Sequence, residues 1–542
     1  MLNSSKGPAV RAMRVQSDKL AYARYMQQVV LDQDNLDIYI ALVDVLLTKE
    51  RIIQGVQLED GTQIFSQTVI ITTGTYLSSK VLCGKCAEPL GPDGEDTNYG
   101  LSKSLKSLGF QLIRLKTGTP PRVYTDSIDF SYGQLELGTD MPLTFSYQTN
   151  PSDMIPFDKQ VPCYLIWTTP KTHEIIREHL KESSMYSGIV EGIGPRYCPS
   201  IEDKLVRFAD KKQHQLFLEP ESLEINETYI QGFSTSMPHD VQEQMVHSLP
   251  GFEHAEFLKY AYAIEYDAIQ PLQVQRNLMI RNHPGLFIAG QILGTSGYEE
   301  AAGAGLLAGI NASLYIDNKP WFTLRRDQAY LGVMIDDLVT KGTKEPYRLL
   351  SSRSEYRLIT RSDNADERLI KLGYDLGLNS KDRYDKYLKR MDELKVAEHA
   401  LDTIYVGLNE KTPKYLESVG ETKPIGSTSY KDLLKRPKVT YEGLQQCEPK
   451  LPVLSSDLGV KIETNVKYKG YIDLEEKDVE KMQAMESLIL PQDLDYSKVE
   501  GISLEAREKL NKIKPKTIGE ASRITNVHPA DIDRLLFLIR KK

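Results

Sequence analysis

The chain has 542 residues, 40% hydrophobic and 26% charged, with a formal net charge of −8; that length exceeds one core and points to about three to four units at roughly 150 residues each. The acidic balance excludes a general nucleic-acid coat but leaves room for a local basic stripe. Cys83, Cys86, Cys163, Cys198 and Cys447 are too few and odd in number for a disulfide framework and imply a reducing, cytoplasmic setting, while no apolar run reaches the roughly 18 residues of a membrane span and MLNSSKGPAVRAMR lacks the apolar core of a secretory signal.

In chain order, Pro8 suits a first helical turn and predicts a helix from about Pro8 to Val30. A β-rich region follows, turning at Glu59-Asp60-Gly61 and closing on the apolar strand that runs from Thr68 into Thr73-Gly74. Residues 80–125 are loop-rich, contain Cys83-Gly-Lys-Cys86 and end in LKTGTPPR. That CxxC lacks the second ligand pair of a structural zinc site, which leaves a redox pair or nothing. Residues 123–265 are mixed α and β, and Glu265 and Asp267 alternate on a strand, the pattern of core-edge packing. Beyond about 320 the period becomes helical, with Lys/Glu-rich helices at 381–401 and 474–488. Residues 402–470, richer in Pro, Gly and Thr, read as a connection with small elements. From Ser503 onward three short helices are broken at Pro515 and Pro529.

Three stretches could carry chemistry. In GPRYCPSIEDK, Ser200 is a good N-cap and Ile201, Leu205 and Phe208 share one face, predicting a helix from 201 to about 212. Cys198 then precedes a helix N-terminus, with Arg196 and Lys204 nearby, where a thiolate is favoured; an inert loop cysteine is the other reading. In Pro284–Gly309, a short strand (Leu286–Ala289), a Gly-rich loop and a small-residue helix would let backbone amides approach a phosphate or ring, or would serve close packing alone. No GxGxxG follows a strand anywhere in the chain. In YRLLSSRSEYRLITR, Arg353, Arg357 and Arg361 are four apart and would line one helical face, with Arg348 just before them. Such a stripe, like the patch containing Lys512 and Lys514, suits either phosphate contacts or a solvated face.

GPRYCPSIEDKLVRFAD and AGQILGTSGYEEAAGAGLLAGINA, together with LNSSKGPAVRA, RLKTGTPPR, HQLFLEPE, AYAIEYD, QAYLGVMIDDLVTKGTKEPYRLLSSRSEYRL and IGEASRITNVHPADI, resemble the signatures of the glucose-inhibited division protein A family, and the likeness covers essentially the whole chain. It implies an α/β fold, an incomplete FAD-binding Rossmann-type domain with an inserted α/β NAD-binding domain, followed by an all-α C-terminal domain. The boundaries so implied are 1–122 and 266–318 for the FAD domain, 123–265 for the insertion, 319–470 for a helical linker domain and 471–542 for a C-terminal subdomain contacting tRNA or a partner.

The resemblance also implies an activity: carboxymethylaminomethylation, or aminomethylation, of C5 of the wobble uridine of tRNA. Family members are homodimers that act with a tRNA-modification GTPase as a heterotetramer, using FAD, NADH and methylenetetrahydrofolate. It implies that Cys198 is an essential cysteine. Gly194, Pro195, Arg196, Tyr197, Pro199, Ser200, Lys204 and Phe208 belong to the NAD-contact segment, Gln291 contacts FAD, and Val43 and Asn98 lie near two further FAD contacts. Arg348, Arg353, Arg357, Arg361, Lys512 and Lys514 are the candidate tRNA contacts, and no metal is implied. Family members begin with a strand, a GxGxxG-type loop and a Cys-Asn-Pro motif, and this sequence starts at a segment that follows those. Leu293 stands where the family commonly has Asn, and Ala304 where it has Gln. Two other readings are a catalytically impaired relative acting as a tRNA- and GTPase-binding module, and a folate- and FAD-dependent tRNA uracil-5-methyltransferase.

Overall fold

The computed structural model describes residues 1–141, 143–146, 148–195, 199–407, 410–424 and 426–540. The chain divides into two units, Val15–Thr323 with Asp337–Leu349, and Met1–Arg14 with Leu324–Asp336 and Leu350–Lys542. Among the described residues no helix is long and apolar enough to cross a membrane.

In the first unit, the apolar runs ending in Thr-Gly and in Ala-Gly form two parallel strands, Val69–Ile71 and Leu286–Ile288, with Ile71 opposite Ile288. Short continuous apolar runs suit strands covered on both faces, and Leu286, Phe287 and Ile288 are buried. The small-residue helix Tyr298–Ile316 follows the second strand and buries Ala304, Leu307, Ala308 and Ala312. Beside them Val43–Lys49, Ile52–Leu58 and Gln63–Phe65 make an antiparallel sheet. Its first hairpin turns on Glu50 and Arg51, both at positive φ, which matches the right-handed twist of the strands.

A four-stranded antiparallel sheet has the order Cys86–Glu88, Lys80–Cys83, Tyr262–Ile269, Leu112–Thr119. The last two strands pair along their full length, from Tyr262 opposite Thr119 to Ile269 opposite Leu112. They lead into a six-stranded antiparallel sheet ordered Phe257–Lys259, Arg122–Val123, Thr228–Gln231, Gln215–Pro220, Cys163–Trp167, Gln134–Glu136. Helices Pro170–Glu178, Ile201–Arg207 and His239–His247 accompany this sheet. Ile176, Ile201, Leu216, Ile230, Phe233, Val241 and Met245 make one core there.

Two expectations fail on local capping. The first helix runs Lys19–Leu31 rather than from Pro8, because the Asp18 carboxylate accepts from Ala21 N and so fixes the start. That carboxylate is itself held by the Ser222 hydroxyl and Leu223 N. The second helix ends at Arg207, with Phe208 in a non-helical conformation, five residues short of 212.

The second unit is helical. The small elements of residues 402–470 are helices, Lys411–Ser418, Tyr430–Leu434, Tyr441–Cys447 and Ser456–Lys467. Leu416, Tyr430, Leu444 and Ile462 from them share a core with Leu394 and Leu401 of the helix Lys381–Thr403. Two of these helices have side-chain N-caps, Ser429 accepting from Asp432 N and Thr440 from Gly443 N. The three terminal helices are Leu504–Ile513, Ile518–Arg523 and Pro529–Arg540, the first two capped by Ser503 and Thr517.

A polar knot also lies in this unit. Arg326, only 3% exposed, pairs with Asp336 at 3.0 Å and Glu355 at 2.8 Å. The same Asp336 receives Arg523 from the penultimate helix at 2.6 Å.

Phe233 is fully buried in the six-stranded core, so Phe233→Ala is expected to cost about 3–5 kcal/mol. A fall in the urea midpoint of the full chain's first unfolding transition measures it; an unchanged midpoint contradicts the packing described.

Candidate functional site

The carboxyl ends of the two parallel strands converge. Ala289 N donates to Ile71 O at 3.1 Å, so Thr73 and Gln291 leave the sheet at the same end, where ligands of open parallel sheets bind. Gly290 begins a 3-10 turn through Leu293 with φ +79°, and no atom lies within 4 Å of where its Cβ would be. The Thr295 hydroxyl donates to Gly290 O at 2.8 Å and pins the turn. Here Gln291 Oε1 and Thr73 Oγ1 are both buried and make no hydrogen bond. Buried polar atoms are normally satisfied, so an amide oxygen and a hydroxyl together at this end fit a ligand with polar edges.

Helix Tyr298–Ile316 starts at Gly297, where a Cβ would lie 1.8 Å from Glu300 Oε2. Glu300 is buried, and its Oε1 accepts from Leu349 N at 2.8 Å and Arg348 Nε at 3.2 Å. Arg348 therefore holds a buried carboxylate.

Val43 and Asn98 meet. Asn98 Nδ2 donates to Val43 O at 2.8 Å, and both line a cleft of about 520 Å³ with Asp44, Thr97, Tyr99, Gly100 and Lys103. The chain approaches so closely here that a Cβ on Gly100 would fall 1.2 Å from Asp44 Oδ1.

The segment leading to the cysteine is fastened to the strand Leu112–Thr119. Ile193 bridges Leu115 in parallel, and Lys116 N donates to Ile193 O at 3.1 Å. Glu265 Oε1 accepts from Glu191 N and Gly192 N, each at 2.5 Å. Beyond it Ser200 accepts from Asp203 N as the N-cap, and Lys204 Nζ donates to Gly232 O at 2.7 Å. Gly194, Pro195 and Pro199 are half-buried and Phe208 is exposed. Arg196, Tyr197 and Cys198 lie outside the described residues. Sequence reasoning missed Lys116 and Glu300, because no periodicity marks a charged residue as buried, and it missed Thr73, because nothing local marks a hydroxyl as unpaired.

The expected arginine face does not form. Residues 348–361 contain only the 3-10 turn Ser351–Arg353 between extended residues Leu350 and Ser354, and the N–H groups of Leu358 and Ile359 donate to Glu475. Arg361 is buried, pairing with Asp363 at 2.9 Å and donating to Leu358 O and Asn465 Oδ1. Arg353 is half-buried, while Arg357 is exposed. Of the second patch, Lys512 is exposed, whereas Lys514 Nζ donates to Leu494 O at 2.6 Å and lies over the Tyr496 ring.

The family model described as glucose inhibited division protein A matches residues 1–320. The models for the helical domain and the helical bundle at the C-terminus of the tRNA-modifying enzymes MnmG/GidA match residues 381–476 and 478–542. The chain belongs to the glucose-inhibited division protein A family. It is 49% identical, over all of its length and 87% of the relative's, to the tRNA uridine 5-carboxymethylaminomethyl modification enzyme MnmG of Acholeplasma laidlawii. It is 48% identical, over all of its length and 86% of the relative's, to the enzyme of that name from Mycoplasma mycoides. The structure of Aquifex aeolicus GidA superposes with a TM-score of 0.89 at 42% identity, covering 99% of this chain and 86% of that one. This likeness bears out the α/β architecture with a helical C-terminal part.

Cys83 and Cys86 of the CxxC face each other across a hairpin. The Cys83 thiol donates to Met237 O at 3.1 Å, and burial pushes its pKa up to about 11. Cys86 is exposed. Because the thiolate is the reactive form, iodoacetamide near neutral pH is expected to modify Cys86 at least about ten times faster than Cys83. Peptide mapping over time measures this; equal rates contradict it.

Proposed function

We propose that the chain catalyses flavin-dependent modification of C5 of the tRNA wobble uridine, installing a carboxymethylaminomethyl or aminomethyl group. The observation that carries this reading is the 49% identity, spread over the whole chain, to a relative bearing that activity in its name. Unsatisfied Gln291 and Thr73 at the strand ends support a cofactor there. The family is one of flavoproteins, and FAD bound at this end would accept reducing equivalents and make them available to the carbon-transfer step. The two C-terminal helical matches favour this reading over the uracil-5-methyltransferase, and the family's GTPase partner and homodimeric state are part of the proposal.

The residues then divide the work. Gln291 would offer an acceptor and Thr73 a hydroxyl to the bound cofactor, and the cleft at Val43 and Asn98 would supply further contacts to it. The segment Gly194–Phe208, which follows the turn that Glu265 holds and whose helix Ser200 caps, receives NADH. Cys198 is the proposed nucleophile toward uracil, and methylenetetrahydrofolate supplies the carbon. Arg357 and Lys512, both exposed, are the proposed phosphate contacts to tRNA in preference to Arg348, Arg361 and Lys514, which are engaged internally. Arg353 remains a candidate through its neighbour Arg357. A cytoplasmic location accords with a tRNA substrate.

Three measurements test this. The full chain loaded with FAD should show flavin absorbance that the Gln291→Leu variant retains at least tenfold less tightly; failure of the wild-type chain to bind FAD sinks the reading. Cys198→Ser is expected to abolish wobble-uridine modification in a complemented null strain while leaving the circular dichroism intact, and retained modification would remove Cys198 from the mechanism. Arg357→Ala combined with Lys512→Ala should lower the slope of log Kd for tRNA against log salt by about 1–2, as loss of two phosphate contacts requires; an unaltered slope excludes them.

A further inference from the structure

Lys116 occupies the middle of the strand Leu112–Thr119, opposite Glu265, and is only 6% exposed. Its ammonium makes no hydrogen bond or ion pair with any described residue, although its neighbours Arg114 and Arg122 on the same stretch are both paired. A lysine this deeply set whose ammonium has no described acceptor is costly, and burial holds the Lys116 pKa below the ordinary lysine value against the pull of Glu202, Asp203 and Glu265. Those carboxylates are each held on one oxygen by other donors, while Glu202 Oε2 and Glu265 Oε2 are buried without a hydrogen bond. Glu202 Oε1 accepts from the hydroxyls of Ser183 and Thr235 and from Ser236 N. Asp203 receives the Tyr186 hydroxyl, and Glu265 holds the Gly192 turn and lies 3.5 Å from Arg114.

The glycines of the facing segment let it lie flush on this lysine. A Cβ on Gly192 would sit 3.2 Å from Lys116 Cβ, and one on Gly194 would sit 3.3 Å from Cδ and 4.0 Å from Nζ. The ammonium therefore reaches past Gly194, at the entrance of the proposed NADH segment. Surrounded by carboxylates, it lacks an acceptor rather than a counter-charge. A neutral carbonyl oxygen satisfies that need, whereas a diphosphate would be repelled by Glu202, Asp203 and Glu265.

We propose that Lys116 is a substrate-positioning residue whose ammonium donates to the carboxamide oxygen of the reduced nicotinamide. This rests on the reading that Gly194–Phe208 receives NADH. The test uses the full chain loaded with FAD, titrated anaerobically with NADH while flavin bleaching is followed, with ADP-ribose as a competitor that lacks the nicotinamide. Lys116→Met and Lys116→Gln are expected to raise the NADH half-saturation at least tenfold, to leave the ADP-ribose inhibition constant within about twofold, and to leave Tm unchanged or higher, since each removes an unsatisfied buried charge.

Absence of bleaching in the wild-type chain overturns the NADH reading and this inference with it. Bleaching in the wild type with the same half-saturation in both variants overturns the inference alone. Equal weakening of NADH and ADP-ribose also overturns it, by placing the contact on the phosphates. Loss of folding, or a fall in Tm with unchanged NADH binding, makes Lys116 a structural counter-ion and overturns it as well.

Discussion

The antiparallel pairing of Leu112–Thr119 with Tyr262–Ile269 is the constraint on which the first unit hangs. One end of this ribbon continues into the six-stranded sheet through Arg122–Val123 and Phe257–Lys259. The other end feeds the region of the parallel strands, with Gln270 N donating to Gln111 O at 3.0 Å. Register matters because a slip of one residue exchanges the two faces. In the observed register Arg114 stands opposite Asp267, and its guanidinium pairs with Asp267 at 3.0 Å while lying 3.5 Å from Glu265. Glu265 then grips the Gly192 turn. The position of the turn at Glu191–Ile193 is thus set by which residues of two strands face one another.

The site is also a place where the chain carries more charge and less satisfaction than its burial would favour. Glu202, Glu265 and Glu300 each have one oxygen held by donors and one buried oxygen without a hydrogen bond. Half-satisfied groups are what an active site retains and a structural core discards. Glu265 lies at the Gly192 turn and Glu300 at the start of the helix Tyr298–Ile316, whereas Glu202 sits beside the Phe233 core, held by Ser183, Thr235 and Ser236.

Much of the fold was legible because periodicity and caps report it directly. The Lys/Glu-rich helices, the three terminal helices at their prolines, and the Thr-Gly and Ala-Gly strand ends all follow from local pattern. The failures have local causes too. Pro8 suits a first turn but has no cap behind it, and Asp18 supplies one ten residues later. Between 402 and 470 the Pro, Gly and Thr content resembled a linker because the ends of short helices and loops share a composition. The arginines of 348–361 have helical spacing without a helix, since spacing alone carries no information about Glu475, which draws the backbone amides of Leu358 and Ile359 elsewhere. The glycines and Gln291 of the strand-end turn could be read from sequence, whereas Lys116 and Glu300 could not: burial of a charge is a property of the assembled sheet.

Asp336 joins two guanidiniums that arrive from distant parts of the chain, Arg326 ten residues before it and Arg523 far beyond it. A carboxylate shared in this way couples the opening of either partner to exposure of the other, because releasing one arginine leaves a buried charge imperfectly matched. The terminal helices are consequently not an appendage that frays from its end. In amide-exchange terms the helix Ile518–Arg523 is expected to open together with the segment Leu324–Asp336, because Arg523 completes the electrostatic closure of a carboxylate nearly two hundred residues earlier in the sequence.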